Sequence, residues 1–296
     1  MSEEKKIDKK DERKVGMINA KELQEKYMRE DMMPHIFCTG CGIGTVLNLT
    51  LRAMDKVGFD LDNTVILSGI GCSSRLPGYV DVDSLHTTHG RALAFATGVK
   101  ITNPDLNVIV FTGDGDCMGI GGNHFIHACR RNVDMTIIAV NNYIYGMTGG
   151  QVAPTTPEGD YATTAPFGNI EPPFDMSDMA MSAGATYVAR WGLSKPIQPM
   201  ESIAEGFENE GMSFIEILSP CTTAYARQNK VGDIQEFWDW YEDRTLLVED
   251  YEMMKKYSTE EEKEKLEDKM PIGVLKDEEK KCLSERLAEL IEEVEI

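Results

Sequence analysis

The sequence predicts an α/β fold in which a mostly parallel sheet carries helices on both faces. Apolar runs typical of buried strands alternate along the chain with segments of helical periodicity, which is the pattern of parallel sheets. Glycines and polar side chains follow the carboxyl ends of several of these runs, where open parallel sheets bind their ligands. With 296 residues, the chain is long enough for one large domain of this kind.

The first predicted elements are two helices with a strand between them. The helix predicted over 43–57 places Leu47 and Met54 on one broad apolar face. A strand is predicted over 63–67, where the sequence NTVIL ends in a Ser-Gly-Ile-Gly-Cys turn. The second helix is predicted over 89–101, where small residues at alternate positions permit close packing.

Two buried strands separated by a helix form the centre of the pattern. The runs NVIVFT at 107–112 and MTIIAV at 135–140 predict parallel strands, with a helix over 123–131 between them. A loop at 146–173, dense in Gly, Pro and Thr, follows. Loops of this length are often functional, and we expect a partner chain to order this one. The elements predicted beyond it are a helix over 174–183 and strands over 185–190 and 213–218, with a further helix between those strands.

The two ends of the chain differ from its middle in charge. Residues 1–32 are charge-rich and poor in apolar side chains, which predicts a flexible arm ahead of a domain over 33–230. Residues 231–296 carry a net charge of −12, more than half of the −20 of the whole chain. They are predicted to form an acidic, mainly helical extension with a solvated face.

The composition argues against several classes of function. A net charge of −20 disfavours binding of nucleic acid through its phosphates. No apolar run is long enough to span a membrane, and the charged N-terminal segment lacks the apolar core of a secretion signal. We therefore expect a cytoplasmic protein that binds neither nucleic acid nor membranes and keeps its cysteines as thiols.

The most informative motif joins the two central strands. Gly113-Asp114-Gly115 follows one strand, and Asn141-Asn142 follows the other after 25 intervening residues. Each motif alone is typical of a turn. In parallel strands, however, Asp114 and Asn142 meet at one sheet edge, where their oxygens and the glycine backbone suit a diphosphate held through Mg²⁺. The pair therefore predicts a thiamine diphosphate-binding fold.

Four of the seven cysteines suggest a metal site. Cys38 and Cys41 form a C-x-x-C pair among glycines, while Cys72 and Cys221 each follow a predicted strand. Four thiolates suit structural zinc as well as a [4Fe-4S] cluster, and a thioredoxin-like redox pair fits this spacing less well. The electron-releasing chemistry of a neighbouring thiamine site favours the cluster. The remaining thiols are interpreted as packing residues: Cys117, Cys129 and Cys282.

Six motifs together resemble one protein family. They are CTGCG at 38–42, GIGCSSRLPGY at 69–79, LHTTHGRALAFATGVK at 85–100, GDGDCMGIGGNH at 113–124, NNYIYGMTGGQVAPTTP at 141–157 and SPC at 219–221. Over roughly residues 35–230, this set resembles the β subunit of the 2-oxoacid:ferredoxin oxidoreductases. Any one of the motifs alone would be unspecific.

The resemblance implies how cofactors are held. Asp114, Asn142 and the backbone carbonyl of Ile144 would bind Mg²⁺. A [4Fe-4S] cluster would be bound by Cys38, Cys41, Cys72 and Cys221. The residues that would line thiamine diphosphate, besides the Mg²⁺ ligands, are Cys72, Ser73, Ser74, His89, Gly90, Gly113, Gly115, Asp116, Gly146, Met147 and Thr148.

The resemblance also implies a reaction and partners. The family couples the coenzyme A-dependent oxidative decarboxylation of a 2-oxoacid, or its reverse, to one-electron transfer to ferredoxin. The glutamate that activates the thiamine cofactor comes from a partner α subunit, and this sequence offers no candidate for it. We expect a complex with an α subunit, with or without γ and δ subunits, in which this chain holds half of the active site.

Arg75 and His89 are the candidate catalytic residues. Arg75 would bind a substrate carboxylate with two hydrogen bonds, or else pair with a surface acid or the partner subunit. His89, beside Gly90, would contact the cofactor, whereas His86 is interpreted as structural. The GMTGGQ and SSR sequences resemble 2-oxoglutarate and branched-chain enzymes more than pyruvate enzymes. The preferred substrate is therefore 2-oxoglutarate, giving succinyl-CoA, with 2-oxoisovalerate and pyruvate as alternatives.

Three other functions are compatible with parts of the sequence. An electron-transfer subunit would keep the cluster and have a vestigial thiamine pocket, which leaves the pairing of Asp114 with Asn142 unexplained. A zinc-stapled structural or regulatory subunit would use the same four cysteines. A thiamine-dependent decarboxylase without redox chemistry would leave those cysteines without a role.

Overall fold

An eight-stranded sheet forms the centre of the protein. The computed structural model describes residues 18–259, 266 and 268–294. The strands of the large sheet are β1 (Thr64–Ser68), β2 (Asp83–His86), β3 (Asn107–Gly113), β4 (Met135–Asn141), β7 (Tyr187–Gly192), β8 (Met212–Leu218), β9 (Thr245–Leu247) and β10 (Met270–Asp277). A separate pair joins β5 (Ile144–Tyr145) to β6 (Gln151–Val152).

The large sheet is mostly parallel, as predicted. Its strand order is β2-β1-β3-β4-β8-β7-β10-β9, and β10 pairs antiparallel with β7 while the other neighbours run parallel. The carboxyl ends of β1, β3, β4 and β8 therefore open at one edge. The predicted strands occur in the structure with ends shifted by two residues or fewer.

Helices surround this sheet on both faces. They are α1 (Ala20–Tyr27), α2 (Ile43–Val57), α3 (Ala92–Thr102), α4 (Gly122–Arg131), α5 (Met176–Ala183), α6 (Ile197–Glu208), α7 (Tyr225–Asn229), α8 (Ile234–Arg244), α9 (Val248–Tyr257) and α10 (Leu283–Glu293). Alternation along β3 sends Ile109 and Phe111 to the face covered by α2 and α6. Val108 and Val110 face α3, α4 and α5. Two apolar cores thus form on opposite sides of one sheet.

The helix predicted over 43–57 has those bounds in the structure. Its apolar face is buried, with Val46 and Met54 fully covered. The helix ends because Gly58 adopts a left-handed conformation with a φ of 73°, and its N–H donates to the Met54 carbonyl at 3.0 Å. Local sequence therefore sets both the face and the end of α2.

The helix predicted from residue 89 begins later, at Ala92. Gly90 has a φ of 68°, and the Arg91 N–H donates to the Thr88 carbonyl at 3.0 Å, so these residues form a turn. A Cβ at residue 90 would lie 2.6 Å from the Gly121 nitrogen, which only glycine avoids. The turn brings His89 to the edge of the sheet instead of into a helix.

Residues on both sides of the predicted domain at 33–230 contribute to the folded core. Leu23 and Tyr27 of α1 are buried in the core, so the folded body includes residues that were assigned to the arm. Residues 1–17 of that arm lie outside the described residues. In the C-terminal extension, β10 joins the sheet beside β7, and Phe237 and Tyr241 of α8 are buried. The extension is therefore an integral part of the fold and contains strands as well as helices.

The cysteines assigned to packing are all buried, at 2% exposure for Cys117, 0% for Cys129 and 4% for Cys282.

Of the helices that the structure describes, none combines the length and apolarity needed to cross a membrane.

We predict that Tyr27→Ala lowers the free energy of unfolding by about 3–5 kcal/mol, because it removes a fully buried aromatic ring between α1 and α2. Tyr27→Phe should cost only about 1 kcal/mol, since it loses just the 2.9 Å hydrogen bond to Asp55. Denaturant unfolding of the purified protein measures both. Lys21→Ala on the exposed side of α1 is the control. Equal stability of Tyr27→Ala and the control would show that α1 does not pack as described.

Candidate functional site

The ends of the parallel strands surround a small cleft of about 80 Å³. Twelve of the residues predicted to hold cofactors line it: Cys72, Ser73, His89, Gly113, Asp114, Gly115, Asp116, Asn142, Ile144, Gly146, Met147 and Thr148. The strand register brings them together, since Ser68 pairs with Phe111 and Gly113 pairs with Val140 in neighbouring strands. The cleft is smaller than a typical enclosed ligand pocket.

Asp114 lies at the floor of this cleft and is 3% exposed. Its Oδ2 accepts a hydrogen bond of 2.6 Å from the Thr155 hydroxyl, which comes from the long loop at 146–173. Burial raises the pKa of the Asp114 carboxyl to about 6, although the Thr155 bond and the Gly115 and Tyr143 N–H groups lower it. A buried carboxylate with no cationic side chain beside it is favourable for a bound cation.

A tight turn at the end of β4 presents the second oxygen. Tyr143 adopts a φ of 62°, rare for a residue with a side chain, and its N–H donates to Asn141 Oδ1 at 3.2 Å. The Asn142 Oδ1 accepts from the Ile144 N–H at 3.3 Å, and the Tyr143 carbonyl accepts from Thr156 at 2.5 Å. The turn places Asn142 and Ile144 beside Asp114 in the lining of the cleft.

Asp116 lines the cleft and also makes several hydrogen bonds within the protein. Its Oδ1 accepts from the Gly90 N–H at 2.8 Å and the Ile70 N–H at 3.1 Å, and its Oδ2 accepts from Thr112 at 3.0 Å. The same carboxylate pairs with Nδ1 of His89. Asp116 therefore ties the loops after β1 and β2 to the end of β3, and its oxygens are already engaged within the protein.

Besides three of the cluster cysteines, three residues predicted to contact the thiamine cofactor or the substrate do not line the cleft. Gly90 is buried against Gly121 in the turn described above. Ser74 is buried with its hydroxyl turned into the protein, while its carbonyl accepts from Ser68 at 2.9 Å. Arg75 is exposed, and its guanidinium makes no hydrogen bond or ion pair with any described residue, although its backbone N–H donates to the Cys72 carbonyl at 3.2 Å. Ser74 and Gly90 therefore support the cleft without contacting its interior, and Arg75 is available to a ligand or partner outside it.

The four predicted cluster cysteines come together beside the cleft. The Thr223 hydroxyl lies 3.8 Å from Cys38 Sγ and 4.0 Å from Cys221 Sγ. A Cβ built on Gly146 would lie 3.4 Å from Cys221 Sγ and 4.0 Å from Cys72 Sγ. Burial, followed by the nearby Cys221, Cys41 and Cys38 thiols, raises the pKa of Cys72 to about 11.

The loops that carry these cysteines are packed tightly together. A Cβ at Gly42 would lie only 2.4 Å from the Ser219 hydroxyl, so the C-x-x-C turn approaches the Ser-Pro-Cys turn through glycine. The Thr222 hydroxyl donates to the Thr39 carbonyl at 3.0 Å. The four cysteines, which come from three separate parts of the sequence, are thus held close together. Cys72 is one of these four and also lines the cleft.

Two residues of the site were not found from the sequence. Thr155 lies in the loop at 146–173, and its position 41 residues from Asp114 gives no local signal. Tyr145 covers Gly115, and its hydroxyl donates to the Gly115 carbonyl at 3.0 Å. The sequence did show the long Gly- and Pro-rich loop that contains Thr155 and directly follows Tyr145. A loop with little regular structure beside a ligand-binding turn is held in place by side-chain hydrogen bonds such as these two.

The residues fit a diphosphate bound through Mg²⁺. Asp114 supplies a buried carboxylate whose pKa is raised by that burial, and Asn142 and Ile144 offer neutral oxygens of the kind that Mg²⁺ prefers. Among the described residues, no three His, Cys, Asp or Glu side chains converge on one point where a single ion would bind.

Comparison with known proteins agrees with this geometry. Residues 69–217 match the family described as thiamine pyrophosphate enzyme, C-terminal TPP binding domain. The 2-oxoglutarate synthase subunit KorB of Methanocaldococcus jannaschii is 52% identical over 272 residues, which cover 91% of this chain and 97% of that subunit. The same subunit from Methanothermobacter marburgensis is 49% identical over 268 residues, covering 90% and 92%. The chain belongs to the β subunits of the 2-oxoacid:ferredoxin oxidoreductases.

The fold is also similar to that of a solved structure. The 2-oxoglutarate:ferredoxin oxidoreductase from Magnetococcus marinus, with 2-oxoglutarate, coenzyme A and succinyl-CoA bound, matches with a TM-score of 0.80 and 36% identity. The match covers 92% of this chain and 90% of that one. The fold of the family therefore extends into both terminal segments that the sequence analysis had set apart from the domain.

We predict that Mg²⁺-dependent binding of thiamine diphosphate weakens in acid, because a proton would compete with Mg²⁺ for the Asp114 carboxylate. With a pKa of about 6, the affinity should fall about tenfold for each pH unit below that value and level off above it. Calorimetry across this range measures the effect. Asp114→Asn, which cannot titrate there, should bind weakly with only the pH dependence of the diphosphate itself. Identical pH profiles for both proteins would contradict the role of Asp114.

Proposed function

We propose that this chain is the β subunit of a 2-oxoglutarate:ferredoxin oxidoreductase that holds thiamine diphosphate, Mg²⁺ and one [4Fe-4S] cluster. The observation that carries the proposal is the position of Cys72, which lines the cleft beside Asp114 and also lies among the four thiols. The thiamine diphosphate, at which the carbon chemistry would occur, and the cluster that would accept its electrons would therefore be bound next to each other. The relatives named for 2-oxoglutarate support this substrate.

When bound, thiamine diphosphate would supply the nucleophilic carbon for decarboxylation of a 2-oxoacid, and the cluster would accept electrons one at a time. Asp114, Asn142 and the Ile144 carbonyl would hold the metal. His89 has its Nδ1 occupied by Asp116, which leaves Nε2 to hold or move a proton at the mouth of the cleft. Gly146 would keep the backbone close to both the thiols and the cofactor.

Coenzyme A, ferredoxin and an α subunit complete the proposed system. The loop at 146–173 supports a protein partner because Phe167 and Ile170 are 96% and 86% exposed on it. The loop also has internal bonds, such as Asn169 Nδ2 to the Thr156 carbonyl at 2.8 Å, so its shape does not depend on the partner alone. Reduction of ferredoxin by the assembled complex with 2-oxoglutarate and coenzyme A, compared with 2-oxoisovalerate and pyruvate, tests the function. Faster turnover of either alternative would overturn the choice of substrate.

We predict that serine at Cys38, Cys41, Cys72 or Cys221 abolishes the iron content of protein purified without oxygen. Cys282→Ser is the matched control, because Cys282 caps the start of α10 and serine is a favoured residue at such a position. Iron analysis and electron paramagnetic resonance after reduction measure the cluster. Full iron in the Cys221→Ser protein would remove the fourth ligand from the proposal, and stoichiometric zinc in the native protein would replace the cluster altogether.

Arg75 is predicted to favour a dicarboxylate substrate, since its guanidinium is exposed and makes no ion pair with a described residue. Charge-assisted hydrogen bonds contribute about 1.5–3 kcal/mol each, so Arg75→Ala should lower kcat/KM for 2-oxoglutarate by about tenfold or more. The same change should affect 2-oxobutyrate much less, because that substrate lacks the distal carboxylate. Steady-state kinetics of the complex give both values. An equal loss for the two substrates would mean that Arg75 supports the structure or the partner contact.

A further inference from the structure

A buried ion pair lies behind the turn that ends β4. Arg190 on β7 and Glu216 on β8 are paired across neighbouring strands, and each is 1% exposed. Arg190 Nε donates to Glu216 Oε2 at 2.9 Å, its Nη1 donates to the Pro271 carbonyl at 3.3 Å, and its Nη2 pairs with Asp175. Such pairs are costly to bury and often add no stability over apolar residues of similar size, so their presence calls for another reason.

The carboxylate of this pair sets the orientation of a neighbouring amide. Asn141 Nδ2 donates to Glu216 Oε1 at 2.8 Å, which leaves Asn141 Oδ1 to accept from the Tyr143 N–H at 3.2 Å. An ionised carboxylate only accepts hydrogen bonds, so the amide of Asn141 has one possible orientation against it. A neutral amide at residue 216 would permit both orientations.

The orientation of Asn141 reaches the metal-binding oxygens through the turn. Its Oδ1 holds Tyr143, whose left-handed φ of 62° reverses the chain between Asn142 and Ile144. Left-handed conformations are unfavourable for residues with side chains, so this one depends on its hydrogen bonds. The Ser219 N–H fixes the same turn from β8 by donating to the Asn141 carbonyl at 2.9 Å.

We infer that Glu216, held in place by Arg190, is a positioning residue that fixes the Asn141 amide and thereby aims the Asn142 and Ile144 oxygens at the bound metal. This inference rests on the proposed binding of Mg²⁺ and a diphosphate at Asp114. It also gives the C-terminal extension a role, because the Pro271 carbonyl on β10 helps to hold Arg190. The site is thus supported from a segment far away in the sequence.

The test uses the assembled complex with thiamine diphosphate and Mn²⁺ in place of Mg²⁺. Glu216→Gln keeps the size of the side chain but replaces a carboxylate, which only accepts hydrogen bonds, with an amide, which also donates them. Asn141→Ala removes the Asn141 amide and leaves the ion pair between Arg190 and Glu216 intact. Ser177→Ala is the control, because it removes a 2.6 Å hydrogen bond to Glu216 Oε2 without touching the Asn141 contact. Metal affinity, the Mn²⁺ electron paramagnetic resonance spectrum and the melting temperature are measured for each.

Glu216→Gln and Asn141→Ala should each weaken metal binding about tenfold or more and change the zero-field splitting of bound Mn²⁺. Ser177→Ala should retain the wild-type affinity and spectrum even if its melting temperature falls. If Glu216→Gln does not fold, Asn141→Ala decides the question. Wild-type affinity and spectrum in Asn141→Ala, or an equal loss in the control, would overturn the inference. A wild-type complex that fails to bind the metal would instead refute the proposed function on which it rests.

Discussion

The parallel pairing of β1, β3, β4 and β8 is the constraint on which the rest of the structure depends. It makes four strands end side by side, so that Gly113, Asn141 and the turns after Ser68 and Leu218 open onto the same edge. The two apolar cores fix this register from both faces, because a shift of one residue along β3 would exchange Ile109 and Phe111 with Val108 and Val110. Every group proposed to bind a cofactor is placed by that edge.

Three buried carboxylates near the edge show how environment separates the roles of like residues. Asp114 forms no ion pair with another described residue, and burial raises its pKa, which suits a site for a cation. Glu216 is equally buried, but its Arg190 partner and the hydrogen bonds of Ser177 and Asn141 outweigh burial and lower its pKa. Asp116 is engaged by two backbone N–H groups, a hydroxyl and His89, and it joins three loops. One carboxylate is thus left for a ligand, and two hold the scaffold.

Exposed side chains occur on the segments that form the proposed site. The cleft is small, Arg75 is exposed, and Phe167 and Ile170 present apolar surface from the loop that also supplies Thr155. The same loop thus contacts Asp114 at one end and offers a docking surface at the other. Binding of a partner to this loop would therefore change the position of Thr155 and, through its hydrogen bond, that of Asp114 in the proposed metal site.

The sequence by itself determined five strands of the large sheet, β1, β3, β4, β7 and β8, together with helices α2 to α6 and the turns proposed to bind ligands. Apolar periodicity is a local property, and Asp114, Asn142 and the four cysteines each follow a strand or a glycine turn that can be recognised in place. The bounds of α2 follow from one apolar face and a terminal glycine. Motifs of this kind carry their chemistry in a few adjacent residues, so no distant contact is needed to find them.

Only the tertiary structure decided which residues support the site and where the domain ends. Thr155 reaches Asp114, and Glu216 reaches Asn141, across 41 and 75 residues, and no local pattern records such contacts. Ser74 and Gly90 looked equivalent to their neighbours in the motifs, but the turns direct them away from the cleft. The segments at 20–27 and 270–277 lie in charge-rich parts of the sequence but join the core, because the first packs apolar residues against α2 and the second pairs with β7. Burial of a segment depends on what packs against it, and composition alone does not contain that information.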